Sequence, residues 1–223
     1  MSVSVRFVGS GDSFGSGGRF QTCILVDAPG RRFMIDFGAS SLIALAQQRI
    51  DPNSIDSILI THLHGDHCGG VPFLLIDAML DVLFPGSEVM RPRFPLAYVE
   101  MEPGRSHPIG DLVVTPHPAR HTSQTNPTAL RVEIAGKVIA YTGDGEWTDE
   151  LAMIGHGADL VIAESYYYAK PIKWHLNYPD IRAHLADFGA KRVILTHMGR
   201  EMLAHVDDVP EECAYDGLVV ELG

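Results

Sequence analysis

THLHGDHCGG, residues 61–70, sets three histidines and an aspartate within the six positions from His62 to His67. Imidazole nitrogen and carboxylate oxygen are the donors that first-row divalent metals accept at short range. The stretch follows IDSILI (55–60), which reads as a buried strand, and it runs into an apolar pattern of helical spacing from Cys68 to about Phe84. If extended geometry continues to His64, then His62 and His64 point the same way, because alternate side chains of a strand share a face. Gly65 reads as a sharp reversal through positive φ, where a residue without Cβ meets no penalty. Asp66 and His67 would then open the next helix. Any one of these side chains alone is an ordinary polar loop residue, but four at this spacing begin two neighbouring metal sites.

Outward from that turn, the first third of the chain alternates β-type runs (Val3–Val8, Thr22–Val26, Arg32–Ile35) with Gly-rich turns, and Ala39–Arg49 reads as a helix. The proline-rich section from Phe84 to Pro108 reads as irregular chain around one short strand, Pro95–Val99. From Asp111 the β pattern resumes in DLVVTPH, TALRVEI and KVIAYTGD, followed by a helix near Thr148–Ile154. A strand (ADLVIAES), a helix (Pro179–Phe188), a strand (RVILTH) and a closing strand (YDGLVVEL) complete the order. Strand clusters bounded by amphipathic helices predict an α/β sandwich, sheets inside and helices outside, as one domain over residues 1–223. No repeat, linker or low-complexity tail interrupts it.

Composition narrows the function. The 223 residues are 46% hydrophobic, as in a globular protein. With 17 Lys+Arg against 28 Asp+Glu, the formal charge is −11, which argues against a broad non-specific hold on nucleic acid or on an anionic membrane. Three widely spaced cysteines give no disulfide framework and fit a reducing compartment. No signal or transit pattern is visible at MSVSVRFVGSGDS, and no apolar run approaches the roughly 20 residues of a membrane span, so the expectation is a cytoplasmic protein.

The segment 61–70 resembles the H-x-H-x-D-H signature of the metallo-β-lactamase superfamily, and further motifs of that family follow in order. Asp36 in FMIDFG resembles the aspartate that ends an early strand beneath the site; His121 in HPARHTS, Asp144 in AYTGDG and His197 in VILTHMG resemble the remaining ligands. The resemblance runs from about Val5 to Leu222 and implies an αββα sandwich with two mixed sheets. It further implies that His62, His64 and His121 hold one divalent ion, Asp66, His67 and His197 a second, and that Asp144 bridges them, with zinc first and manganese or iron as alternatives. A hydroxide shared between the ions would make the chemistry hydrolysis, with Asp66 also among the catalytic residues. Spacing alone leaves His117 open as a rival to His121. His107, His156, His184 and His205 read as surface or packing residues, and Cys68 as a buried helix residue.

The superfamily is chemically diverse, so the fold does not settle the reaction. Its di-iron reductases typically carry a glutamate where this chain has His64, which favours a hydrolase. In AESYYYAKPIKWHLNYPDI (163–181), Glu164 and His175 resemble the carboxylate–histidine pair of ribonuclease Z-like enzymes, in which the histidine protonates the leaving oxygen. The alternative is a strand cap and a loop histidine. Tyr166, Lys170, Lys173 and Trp174 are candidates for binding a phosphate that carries a stackable base, the alternative being that the aromatics pack the loop. The expected substrate is therefore a small or nucleotide-like phosphodiester. Long structured RNA is disfavoured, because no basic Gly/Pro-rich arm can be read between Asp144 and His197. Carboxylic ester, lactone or thioester hydrolysis, pre-tRNA 3′ cleavage and a non-catalytic binding scaffold stand as alternatives; membrane attachment is not expected, and homodimerisation is left open.

Overall fold

The computed structural model of the chain describes residues 2–80 and 96–223, with backbone only at 77–80. A first sheet of five strands comprises β1 (Val3–Gly9), β2 (Cys23–Ala28), β3 (Arg31–Ile35), β4 (Ser57–Leu59) and the C-terminal β12 (Val219–Leu222), in the order β12-β1-β2-β3-β4. Its pairs are antiparallel except β3 with β4, which run parallel with Phe33 opposite Ser57. The second sheet has seven strands, β5 (His107–Ile109), β6 (Leu112–Pro118), β7 (Thr128–Ile134), β8 (Lys137–Tyr141), β9 (Leu160–Glu164), β10 (Val193–Thr196) and β11 (Glu212–Cys213), in the order β11-β10-β9-β8-β7-β6-β5. From β5 to β8 the neighbours are antiparallel, and from β8 to β11 they are parallel. Both sheets are therefore mixed.

Period-two alternation sorts the side chains into three apolar layers. Val5, Phe7, Ile24, Val26, Phe33 and Ile35 of the first sheet meet Val114, Leu130, Val132, Ile139, Tyr141 and Ile162 of the second in the central core. The opposite face of the first sheet, through Val8, Leu25 and Met34, packs on α1 (Ser41–Gln47) and on Leu74 of α3 (Val71–Leu80). The opposite face of the second, through Ala140, Val161 and Leu195, packs on α4 (Asp149–Gly155) and α5 (Tyr178–His184). The layer order is helix, sheet, sheet, helix, as expected. Strand β9 is buried at every position, since it lies in mid-sheet with both faces covered.

Several expectations are corrected. The helix expected from Cys68 divides into α2 (Gly65–Cys68) and α3, and residues 81–84 lie outside the described residues. Residues 96–99 form no strand, while Pro95 lies outside the described residues. His107, within the section expected to be irregular chain, sits in β5. Gly65 is the first residue of α2 with φ outside the positive range, and a Cβ there would meet nothing within 4 Å, so the turn does not depend on glycine at that position. The close approach lies instead at Gly38, where a Cβ would stand 2.3 Å from the Asp66 carbonyl oxygen. Strands β5 and β11 and helix α6 (Arg200–Leu203) were not anticipated from the pattern. Among the described residues no helix is long and apolar enough to cross a membrane.

Asp159 ties the parallel half of the second sheet together at its entry. Its carboxylate accepts from the Val138 amide at 2.8 Å and from Lys191 Nζ at 2.7 Å, with Lys137 Nζ 3.9 Å away. Burial pushes this carboxyl up, but Lys191, the Val138 amide and Lys137 outweigh it and hold it below the usual carboxylate range. The folded state therefore binds this proton more weakly than the unfolded chain does. The associated stability is present above about pH 4 and is lost as the pH falls below that value. Asp159→Asn should lower unfolding stability by about 1–2 kcal/mol at neutral pH. It should also shallow the acid limb of the stability curve, as urea titrations at pH 7 and pH 3 would show.

Candidate metal centre

Apart from Asp66 and His67 on α2 and His175 on the loop after β9, each chemically marked residue sits just past, or at, the C-terminal end of a strand, the edge at which α/β sheets present their ligands. Asp36 follows β3, His62 and His64 follow β4, His121 follows β6, Asp144 follows β8, Glu164 ends β9 and His197 follows β10. Asp36 and His197 take left-handed backbone, with φ of 58° and 54°, and so does Trp174 at 66°. For non-glycine residues such conformations cost about 1–3 kcal/mol each and persist only where surrounding contacts hold them. After the reversal the Asp36 carboxylate meets Thr61 and His67, and the His197 ring meets His67 and Asp66, which follow a strand of the other sheet. The Asp36 amide donates to Leu59 O and the His197 amide to Ser10 O, which fixes both reversals.

The expected ligands form two groups, one of histidine nitrogens and one of nitrogens and carboxylate oxygens, and a third group of Asp144, Glu164, His175 and His197 overlaps the second. In the first, His62 Nε2 and His121 Nε2 lie 3.0 and 3.1 Å from His64 Nδ1. In the second, His67 Nε2 lies 3.3 Å from His197 Nε2, 3.5 Å from Asp66 Oδ2 and 3.3 Å from Asp144 Oδ1, while His197 Nε2 lies 3.3 Å from Asp66 Oδ2. Donors 2.0–2.1 Å from a tetrahedral ion stand about 3.3 Å apart, so both groups have the edge length of a zinc-type coordination shell. Asp144 lies between them, its Oδ2 3.6 Å from His197 Nε2 and 4.0 Å from His62 Nε2.

The far nitrogens of four of the five rings are engaged, which fixes which atoms face inward. His67 Nδ1 donates to Asp36 Oδ2 at 2.7 Å, and His121 Nδ1 donates to the Trp174 carbonyl at 2.5 Å. His62 Nδ1 is paired with Thr61 Oγ1, and His64 Nε2 with Thr122 Oγ1. Asp36 is itself held by the Thr61 amide and hydroxyl. Thr61, Thr122 and the Trp174 carbonyl were not singled out in the sequence. A threonine beside a ligand has no distinctive signature, and a backbone carbonyl has none at all.

Charge supplies a second test of fit. Asp36, Asp66, Asp144 and Glu164 are all buried, and among the described residues no Lys or Arg forms a salt bridge with any of them; only histidines do. Buried carboxylates without compensating positive charge are strongly disfavoured. Burial and then the charge of His67 push His62 down to about 2, and burial lowers His121, so these two are neutral donors. Burial disfavours charged His67 and His197 too, yet Asp144 foremost, then Asp36 for His67 and Asp66 for His197, raise both well above the ordinary value. The second group thus draws positive charge into the space between its donors. The Asp144 Oδ1 and His197 Nδ1 atoms are buried without a hydrogen-bond partner. The residues present fit divalent cations in both groups.

Beside the second group, Glu164 is fixed from three sides. Its Oε2 accepts from the Gly145 and Leu176 amides, each at 3.0 Å, and its Oε1 from His175 Nδ1 at 2.5 Å. The His175 ring stacks on Tyr166, with centroids 4.6 Å apart, and its Nδ1 lies 3.8 Å from Asp144 Oδ2. Burial works against a charged His175, but Glu164 and then Asp144 raise its pKa above the ordinary value. The structure thus brings together all seven expected metal ligands and the expected acid pair. His117 is not among them, because its Nδ1 pairs with Glu150 Oε2 at 2.7 Å. Cys68, at the end of α2, is half-buried and outside both groups. Of the four expected substrate-binding residues, Tyr166 is buried as the support of His175, whereas Lys170, Lys173 and Trp174 are exposed. Among the described residues neither lysine is in a salt bridge.

The family description of the beta-lactamase superfamily domain matches residues 24–198, most of the chain. The chain belongs to the metallo-β-lactamase superfamily. It is similar to ribonuclease Z of Alkaliphilus oremlandii, 34% identical over 73 residues, which is 33% of this chain and 23% of that protein. The match therefore spans about a quarter of the relative's length. Its fold is similar to that of the metallo-beta-lactamase fold protein YhfI from Bacillus subtilis, with a TM-score of 0.82 at 18% identity, covering 99% of this chain and 100% of that one. It is also similar to a diphosphatase of the PhnP family, with a TM-score of 0.80 at 18% identity, covering 99% and 98%. Within that superfamily, the matched 73-residue segment is ribonuclease Z-like in sequence.

Metal retention tests the Asp36 support. Asp36→Asn removes the charge that orients His67 and should weaken metal binding about 10- to 100-fold. Competition with a chromogenic chelator measures this directly, and an unchanged affinity would remove Asp36 from the support of the centre.

Proposed function

We propose that this protein is a metal-dependent phosphodiesterase acting on a small or nucleotide-like phosphodiester. His62, His64 and His121 would hold one divalent ion and Asp66, His67 and His197 a second, with Asp144 between them; the nitrogen-rich donor set favours zinc. When bound, the ions supply charge neutralisation to the phosphate oxygens and make water nucleophilic near neutral pH.

The observation that carries the reading is the Glu164–His175 pair beside the second group. With Nδ1–H committed to Glu164, His175 offers Nε2 as the atom that can hold a proton for a departing oxygen. Glu164 cannot turn away, because two backbone amides hold its other oxygen. Tyr166 fixes the plane of the imidazole from below. A diester that releases an alkoxide needs such an acid, whereas an activated aryl ester does not. Lys170 and Lys173, exposed on the same loop, add local positive charge to a chain of net −11 and suit an anionic substrate. Among the described residues the chain between Asp144 and His197 contains only α4, β9, the loop that carries His175, α5, a short 3₁₀ turn and β10, which supports a small diester over structured RNA.

His175→Ala should lower kcat on alkyl diesters by about 10²–10⁴ and much less on p-nitrophenyl diesters. Equal losses on the two would remove His175 as the acid. Faster wild-type turnover of lactones or thioesters than of any diester, in a parallel panel, would overturn the phosphodiesterase reading itself.

A further inference from the structure

Trp174 is held in a way that its main chain alone does not explain. Its backbone is left-handed, with φ of 66°, although it carries the largest of all side chains. Both of its backbone polar groups are occupied. The amide donates to Glu146 Oε1 at 3.0 Å, and the carbonyl accepts from His121 Nδ1 at 2.5 Å. A glycine would present the same carbonyl to His121 without strain. The indole, meanwhile, is left 49% exposed and stacks on no aromatic ring among the described residues, unlike Trp147, which stacks on His184 at 4.2 Å. Leu63, between two ligand-type histidines, and Ile172, on the same loop, are likewise uncovered, at 61% and 40%. Arg120, adjacent to His121, keeps a guanidinium that is 67% exposed and only 3.7 Å from Glu146, the residue that anchors the Trp174 amide.

We propose that Trp174 is the specificity-determining residue of the site: a clamped aromatic platform, one residue from His175, that stacks on a flat aromatic substituent of the diester. This rests on the phosphodiesterase reading above. Clamping at both backbone groups fixes the main chain of Trp174 relative to His121 and His175, so a ring stacked on the indole is held within one side chain's reach of the metal centre. Leu63, between His62 and His64, and Ile172, two residues before Trp174, are further exposed apolar side chains on the segments that carry the site, and Arg120 adds charge for a further anionic group on the substrate. An aromatic ring on an indole needs no hydrogen-bond reading, so the platform selects for flatness rather than for one base.

The test uses the metal-loaded full chain and two substrates that differ only in the base: the methyl ester of thymidine 5′-phosphate and the same ester of abasic deoxyribose 5-phosphate, followed by chromatography. The wild type should favour the base-bearing ester by about 5- to 150-fold in kcat/KM, the range that stacking one base on an aromatic side chain supplies. Trp174→Gly, which keeps the carbonyl and relieves the strain, should bring that ratio toward one, and Trp174→Phe should retain most of it. A ratio that Trp174→Gly leaves unchanged would overturn the platform, and so would an equal fall on both esters, which marks support of His121 alone. A second readout needs no turnover. In a Trp147→Phe background, thymidine 5′-phosphate should quench the emission of Trp174, and abasic deoxyribose 5-phosphate should not. If the wild type cleaves neither ester, the phosphodiesterase reading falls, and the quenching result still decides the platform.

Discussion

Four carboxylates buried in one place, Asp36, Asp66, Asp144 and Glu164, impose the constraint that the rest of this structure satisfies. A carboxylate moved out of water loses solvation that only a nearby positive charge or several hydrogen bonds can replace. Among the described residues no lysine or arginine forms a salt bridge with them, so the burden falls on histidines, backbone amides and the cations that the two donor groups fit. Each carboxylate meets it differently. Asp36 and Glu164 are saturated by donors from the protein and act as supports. Asp66 and Asp144 keep oxygens directed at histidine nitrogens. That division separates the groups that hold the centre in place from those that can bind an ion.

Rigidity comes from the sheets. Strand ends converge on one edge because β3 with β4, and β8 with β9 and β10, run parallel and therefore end together. The ligands stand on short segments anchored to a close-packed double sheet, so their spacing follows from strand pairing within each sheet and from the packing of one sheet on the other. Backbone strain at Asp36 and His197 is tolerated there, because the neighbouring amides are tied across the fold to Leu59 and Ser10. The Asp66–His67 pair of α2 is set by a further close approach. The Phe37 amide donates to His67 O, and the absence of a side chain at Gly38 lets the loop after β3 lie against Asp66.

Much of this was legible from residue type and order. The strand-to-helix passage at 61–70, the αββα layering and the positions of His121, Asp144 and His197 were readable because donor chemistry and period-two burial both leave marks in the sequence. Other features left none. Two- and three-residue strands such as β11 and β5 are defined by their partners and are too short to show a period. Gly65 suggested a left-handed turn, yet the reversals fall on Asp36 and His197, where tertiary hydrogen bonds override residue preference. Tyr166 and Trp174 looked alike as aromatics of one loop. One is buried beneath His175 and the other stands exposed beside it, a difference that depends on which way the loop folds over the sheet.

The sequence by itself determined the chemistry on offer: six nitrogen and carboxylate donors and a seventh between them, spaced so that strands deliver them to one edge, in a chain whose apolar alternation demands two stacked sheets. Only the tertiary structure decided how those donors divide into two groups, that His121 rather than His117 completes the first, and that Glu164 reaches His175. The reason is physical. Donor identity is a property of single side chains, but a coordination edge near 3.3 Å is a relation between residues as far apart in sequence as His67 and His197, which follow strands of different sheets and meet only when the two sheets pack face to face.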